Sequence, residues 1–270
     1  MTAQERLNLI LDLVAEEGTA RIEDIADRFG VSAATARRDL NTLAEQRLVT
    51  RTHGGAVAVG SAYELPLQYK IMRNAPAKLA IAGLAAGLVA PGEVVGLTGG
   101  TTTSEIAREL GRARHLQAPA GERSLTIVTN ALNIAYEMAI RPQVKVVMTG
   151  GVARAQSFEL VGDLAHSTLA GLLVDWAFIG VDGLHPAFGA TTDDEGEASV
   201  NRLLARRAKK VVVVADASKM SATAFAHVCD IADLTAIVTE TDPPSDIAEA
   251  ARSAGVEILV GAVAAEAAEA

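Results

Sequence analysis

The chain is 270 residues long, half of them hydrophobic, with a formal charge of −9 and one cysteine, Cys229. That length suits one large domain, or one large and one small. The acidic balance excludes a chain that coats nucleic acid along its whole surface, so any such contact must gather its basic groups in one place. A single cysteine excludes an intrachain disulfide and a cysteine zinc cluster. The longest apolar run, residues 79–90, falls short of the roughly 20 residues of a membrane span. The first helix is charged and amphipathic, unlike a secretory leader. Together these features predict a cytoplasmic protein with no membrane partner.

Residues 1–60 have their own grammar. Thr2 and Glu5 stand at capping-box spacing, each side chain placed to take a free backbone N–H at a helix start. Leu7, Ile10, Leu11 and Val14 then mark one helical face, and Gly18 ends it. Ile22, Ile25, Ala26 and Phe29 form the stripe of a second helix, stopped by Gly30. Val31 and Ser32 make a turn, and Ser32 suits the N-cap of a third helix over 33–45. Residues 48–59 alternate around Gly54-Gly55, which signals a hairpin.

A helix, a short glycine turn and a second helix form a helix-turn-helix, whose second helix enters the major groove of DNA. Rotation by about 100° per residue turns Ala36, Leu40 and Leu43 to the core. Ala34, Arg38, Asn41 and Glu45 then face outward, with Thr35, Arg37 and Thr42 on the flanks. Arginine prefers guanine edges and asparagine adenine, while Ser32 and Thr35 offer hydroxyls to phosphates. Arg51 and His53 add a basic wing tip. These 60 residues hold seven arginines and no lysine against nine carboxylates, yet Arg37, Arg38, Arg47 and Arg51 cluster at the helix and wing. The candidate DNA-binding residues are therefore Ser32, Ala34, Thr35, Arg37, Arg38, Asn41, Arg51 and His53. The competing reading is a small bundle with a solvated arginine face.

Residues 61–76 read as a linker, broken by Ser61, Pro66, Asn74 and Pro76, with a short helix at 67–73. From Lys78 onward strand and helix alternate. Strands are expected at 94–97, 125–128, 144–148, 176–179, 211–215 and 236–238. Helices are expected at 103–110, 131–140, 164–172, 195–207 and 245–254. That order predicts a mostly parallel sheet covered on both faces, in a domain over 77–261. The alanine–glutamate stretch 262–270 reads as a tail.

The second candidate site lies at the strand ends, where open parallel sheets bind ligands. Gly99 and Gly100 lead from a strand into a helix through Thr101, Thr102 and Thr103. Free N–H groups at such a helix start attract phosphate. The loop lacks the Gly-Lys-Ser/Thr of a P-loop and the spacing of a dinucleotide turn. Asn130, Gly151, Asp182, Gly183 and Lys219 follow later strands, and Lys219 is the natural phosphate partner. His227 and Cys229 are too few to hold a metal, and nothing implies a cofactor.

The segment VSAATARRDLNTLAEQRLVTRTHGGA, residues 31–56, resembles the DeoR family of bacterial transcriptional regulators. Ala36 departs from an isoleucine usual at a buried position, and Arg47 from a glycine at the helix end. Downstream, GGTTT, VTNALNIA, TGG, FELVGDLA, FIGVDG and ADASK resemble the family's C-terminal sensor domain, itself similar to ribose-5-phosphate isomerase. Thr98 replaces an aspartate often found before that loop. The resemblance implies an α/β chain. An N-terminal winged helix-turn-helix would bind double-stranded operator DNA. A C-terminal isomerase-like parallel-sheet domain would bind a phosphorylated sugar, with Gly100–Thr103 and Lys219 on the phosphate. It also implies a homo-oligomer, dimer or tetramer, that represses sugar-metabolism genes until the effector releases it. Two other readings compete. A sugar-phosphate isomerase needs a positioned base, yet GVDGLHP keeps Asp182 and Gly183 while His185 and Pro186 stand where the isomerase motif carries carboxylates. The acidic run Asp193, Asp194, Glu195 and Glu197 suits a helix start without any catalytic role. The chain is thus expected not to be an enzyme. A ligand-independent DNA binder is the third reading.

Overall fold

The computed structural model describes residues 1–46, 48–58, 67–71, 73–119 and 122–263. It divides into two compact units, Met1–Arg73 and Asn74–Ala270. Arg47, linker residues 61–66 and tail residues 264–270 lie outside the described residues.

In the first unit Thr2 caps α1 (Ala3–Glu17). Its hydroxyl accepts the Glu5 N–H at 3.2 Å, and the Glu5 carboxylate accepts the Thr2 N–H at 2.7 Å. Then come β1 (Thr19–Arg21), α2 (Ile22–Phe29), α3 (Ala33–Glu45), β2 (Val49–Arg51), β3 (Gly55–Ala58) and α4 (Leu67–Lys70). Leu7, Ile10, Leu11 and Val14 of α1 share one core with Ile22 and Ile25 of α2 and with Ala36, Leu40 and Leu43 of α3. Strands β2 and β3 pair antiparallel as the wing, with residues 52–54 between them. The sequence pattern missed β1, which pairs with β3 and makes it the central strand. Gly55 is accordingly a strand residue rather than part of the tip. A Cβ there would stand 2.1 Å from the Ala20 carbonyl oxygen, so only glycine lets β1 lie against β3.

The second unit opens with α5 (Ala75–Gly87). Ala75 and Pro76, read above as the end of a linker, form its first turn, where proline's missing N–H costs nothing. There follow β4 (Val94–Leu97), α6 (Thr101–Arg112), β5 (Leu125–Thr129), α7 (Leu132–Ala139) and β6 (Val144–Met148). A small ribbon, β7 (Val152–Ala153) with β8 (Leu160–Val161), leads to α8 (Asp163–Ala170) and β9 (Val174–Gly180). The rest is β10 (Gly183–His185), β11 (Gly189–Thr192), α9 (Glu195–Arg206), β12 (Ala208–Val214), β13 (Ala226–Cys229), β14 (Ala236–Thr239), α10 (Ser245–Ala254) and β15 (Glu257–Val260).

Among the described residues, β15-β14-β12-β9-β4-β5-β6 form a seven-stranded sheet, parallel at every pairing. Successive strand residues point to opposite faces, and two cores result. Trp176, Phe178, Val212 and Val214 pack with α5, α6 and α7 on one face. Ala177, Ile179, Val211 and Val213 pack with α8, α9 and α10 on the other. A separate antiparallel sheet, β10-β11-β13, was not foreseen, nor was the edge strand β15.

Candidate DNA-binding and effector sites

Ser32 caps α3. Its Oγ accepts the Thr35 N–H at 3.2 Å and lies 3.0 Å from Thr35 Oγ1. Ala34, Arg37, Arg38 and Asn41 are exposed on that helix, while Ala36, Leu40 and Leu43 are fully buried. The 3.6-residue repeat thus sorts the helix into a core face and a polar face. Thr42, partly buried, donates its hydroxyl to the Arg38 carbonyl at 3.1 Å. Asp39, between Arg38 and Leu40, is buried and takes a two-pronged bond from Arg6 of α1, at 2.5 Å from Nε and 3.1 Å from the terminal nitrogen. That bond, foremost, holds the Arg6 guanidinium above its ordinary range. Asp39 therefore orients the helix, a role its neighbours' repeat did not reveal. On the wing, Arg51 donates to the carbonyl of Gly55, which ties the guanidinium to the hairpin itself. Thr52 and His53 are exposed at the tip.

In the second unit the glycine loop ends β4, with β9 and β5 on either side. Gly100, at φ 117°, precedes α6. The first N–H groups of that helix have no acceptor within it, as at any helix start. Two hydroxyls at the start of α6 are engaged within the loop. Thr103 and Ser104 both turn back on the Gly100 carbonyl, at 3.1 and 2.7 Å. Thr103 is fully buried, and Thr101 at the first position of α6 is partly exposed. Thr98 is also fully buried. Its hydroxyl accepts the Gly180 N–H at 3.0 Å and donates to the Gly99 carbonyl at 3.2 Å, stitching β4 to β9 beneath the loop.

The other expected residues divide. Asp182 accepts from Thr192 Oγ1 at 2.9 Å and lies 3.6 Å from Lys219 Nζ. Lys219 is thus a paired cation, on a short 3-10 turn, Ala217–Lys219, that Asp216 caps. Gly183 is inside β10, opposite Thr191, and belongs to the small sheet. Gly151 follows β6 with φ 127°, its backbone against Val161. Asn130, at the end of β5, is buried and donates to Glu159 at 2.8 Å.

Glu159 was missed by the sequence pattern. The residue is 4% exposed, and its carboxyl lies on the glycine loop. Burial first, and then the charge of Glu197, push it up to about 8, against the Asn130 and Gly99 hydrogen bonds. Around it Arg154 pairs with Glu197 and, at 3.2 Å, with Asp194. Asp194 caps α9 through the Glu197 N–H at 2.9 Å. A cleft of about 720 Å³ at the other end of the sheet, between α9 and β13, is lined by Arg202, Arg206, Lys209 and His227. Two of its cations have partners within the protein: Arg202 donates to the His227 carbonyl, and Lys209 to Asp175 at 2.8 Å.

A winged helix-turn-helix followed by a parallel sheet with a glycine–threonine loop at its strand ends is the build of a ligand-responsive transcriptional regulator. Two family matches cover the chain, a DeoR-like helix-turn-helix domain over residues 6–62 and a DeoR C terminal sensor domain over residues 73–241. The chain belongs to the DeoR family. The HTH-type transcriptional regulator GlpR of Haloferax volcanii is 34% identical over 97% of this chain and 99% of its own. The glycerol-3-phosphate regulon repressor of Escherichia coli K12 is 28% identical over 92% and 94%. The repressor CsqR of the same organism is 29% identical over 96% of each. These relatives are regulators, and the present chain is a DNA-binding regulator rather than an enzyme. Ribose 5-phosphate isomerase A of Methanocaldococcus jannaschii aligns at 24% identity and a TM-score of 0.38, over 53% of this chain and 52% of that one. Among the described residues no helix is long and apolar enough to cross a membrane.

Proposed function

We propose that this protein is a cytoplasmic repressor of sugar-metabolism genes, released from operator DNA by a phosphorylated sugar. Residues 1–60 bind the operator. Residues 77–261 bind the effector and hold two or four copies together, so that paired helices address paired half-sites. Ser32, Ala34, Thr35, Arg37, Arg38, Asn41, Arg51 and His53 face the DNA, and Arg38 and Asn41 read bases. The effector's phosphate rests on Gly99–Thr103 with Lys219 beside it. Asn130, Gly151, Asp182 and Gly183 shape the sugar end.

One observation carries the effector half of this reading. The turn at Gly99 and Gly100 follows a central strand and leads into the N-terminus of α6, with the Thr103 and Ser104 hydroxyls bonded back to the Gly100 carbonyl. Backbone donors with small side chains suit a phosphate ester better than an apolar ligand. Release follows if the effector binds the arrangement with weak operator affinity more tightly than the other. Fluorescence anisotropy on DNA flanking the protein's own gene tests this, at two salt concentrations and with a panel of sugar phosphates. Tight, salt-sensitive binding relieved by one compound is the expected result. Binding that no compound alters would favour a ligand-independent DNA binder and remove the effector half.

A further inference from the structure

The loop that would receive the phosphate already has a carboxyl on it. Glu159 is 60 residues from Gly99 in sequence, yet its side chain fills the space a Cβ at Gly99 would need. That Cβ would stand 2.2 Å from Glu159 Cγ and 2.5 Å from Oε1. The carboxyl accepts the Gly99 N–H and, at 2.8 Å, the Asn130 amide. Asn130 Oδ1, equally buried, has no hydrogen-bond partner among the described residues, an unsatisfied acceptor beside the same loop.

We propose that Glu159 decides which ligand state the pocket accepts: uncharged, it admits an oxyanion to the Gly99–Thr103 turn, and charged, it holds the turn's donors and repels that anion. The inference rests on the phosphate-loop reading. The charged groups acting on Glu159 are acidic, Glu197 from α9 and Asp182 from the turn after β9. The cations nearest those acids are engaged by them, Arg154 by Glu197 and Asp194, and Lys219 by Asp182. Burial and these acids hold the carboxyl up to about 8, so it is uncharged in most molecules at neutral pH. A dianion alongside would raise it further, because like charges disfavour ionisation. Anion binding above pH 8 therefore takes up a proton, and affinity falls as pH rises.

Sulfate is the suitable probe, because it stays a dianion throughout the range tested. The full-length protein and Glu159→Gln would be titrated with sulfate by calorimetry from pH 6.5 to 9.5. Wild type should lose affinity above pH 8 with a slope approaching tenfold per pH unit. Glu159→Gln should be flat within about twofold and bind more tightly than wild type at pH 9. A carboxyl that merely braces the loop would leave the two pH profiles parallel, and parallel profiles overturn the inference. Sulfate bound by neither protein at any pH would overturn the phosphate-loop reading with it. A measurement on wild type alone covers a variant that does not fold. The Gly99 amide resonance should titrate near pH 8, with a midpoint that saturating sulfate moves upward. An unmoved midpoint equally overturns the inference.

Discussion

Arg38 and Lys219 are both exposed enough to meet a ligand, but their surroundings give their loss different meanings. Arg38 stands on the polar face of α3 beside Asn41, with the buried Leu40 between them. Arg38→Ala removes a base-reading fork without opening the core, so folding should be unchanged. A bidentate arginine–guanine contact is worth about 1–3 kcal/mol, so operator affinity should fall roughly tenfold to a hundredfold, read by anisotropy. Retained tight binding would remove Arg38 from the interface. Lys219 faces Asp182 at 3.6 Å and is a third exposed. Lys219→Ala withdraws an ammonium from the phosphate and also leaves the Asp182 carboxylate without that cation, so both effects oppose an anion. A charged hydrogen bond is worth about 1.5–3 kcal/mol. The concentration of effector needed for release should therefore rise tenfold or more, while operator binding without effector stays as it was. An unchanged response would place Lys219 outside the pocket.

At the scale of elements, the recognition helix depends on a contact with α1. Arg6 and Asp39 are each mostly buried, and their pair links α1 to α3 across 33 residues of sequence. Breaking such a pair strands a charge away from water. Asp39→Ala should cost about 3 kcal/mol in urea unfolding of the full chain. Operator binding should weaken too, although no DNA-facing residue has changed. Replacing both partners with apolar residues, Arg6→Met with Asp39→Leu, should recover most of the stability. A single variant as stable as wild type would show that the pair does not hold the helix.

The same distinction explains which elements the sequence discloses. The central strands are legible because their residues are buried on both faces and read as unbroken apolar runs, as in residues 211–214. Strand β15 is half-exposed at the sheet edge, and its apolar run is only three residues, Ile258 to Val260. Strands β10, β11 and β13 are three or four residues long, and Thr191 pairs with His227 across a distance no local pattern encodes. The glycine loop was legible as a loop, but the inward turn of the Thr103 and Ser104 hydroxyls was not. Glu159 was invisible for a related reason: a lone glutamate in FELVGDLA reads as a surface residue until β8 brings it against Gly99.

For the whole molecule, charge and coupling set the terms. Nearly all of the net charge of −9 falls after residue 73. The second unit therefore repels DNA, and attraction rests on the few arginines of α3 and the wing. Operator binding should depend on salt with the modest slope of a few phosphate contacts rather than that of a basic glove. Coupling adds a constraint that a single equilibrium titration in each direction can check. If effector and operator favour different arrangements of one protein, each must weaken the other by the same factor. An effector that lowers operator affinity 50-fold implies a coupling of about 2.3 kcal/mol. Saturating operator DNA should then raise the effector's Kd by the same 50-fold, measured by calorimetry on the complex. Lys219→Ala should weaken effector binding to free and DNA-bound protein alike and leave that ratio intact, because it alters a contact with the ligand rather than the balance between arrangements. Because that equality holds for any number of arrangements, unequal ratios would mean that one titration had not reached equilibrium or that a further species binds. A ratio of one would mean that the parallel-sheet unit binds its ligand without communicating with the helix-turn-helix.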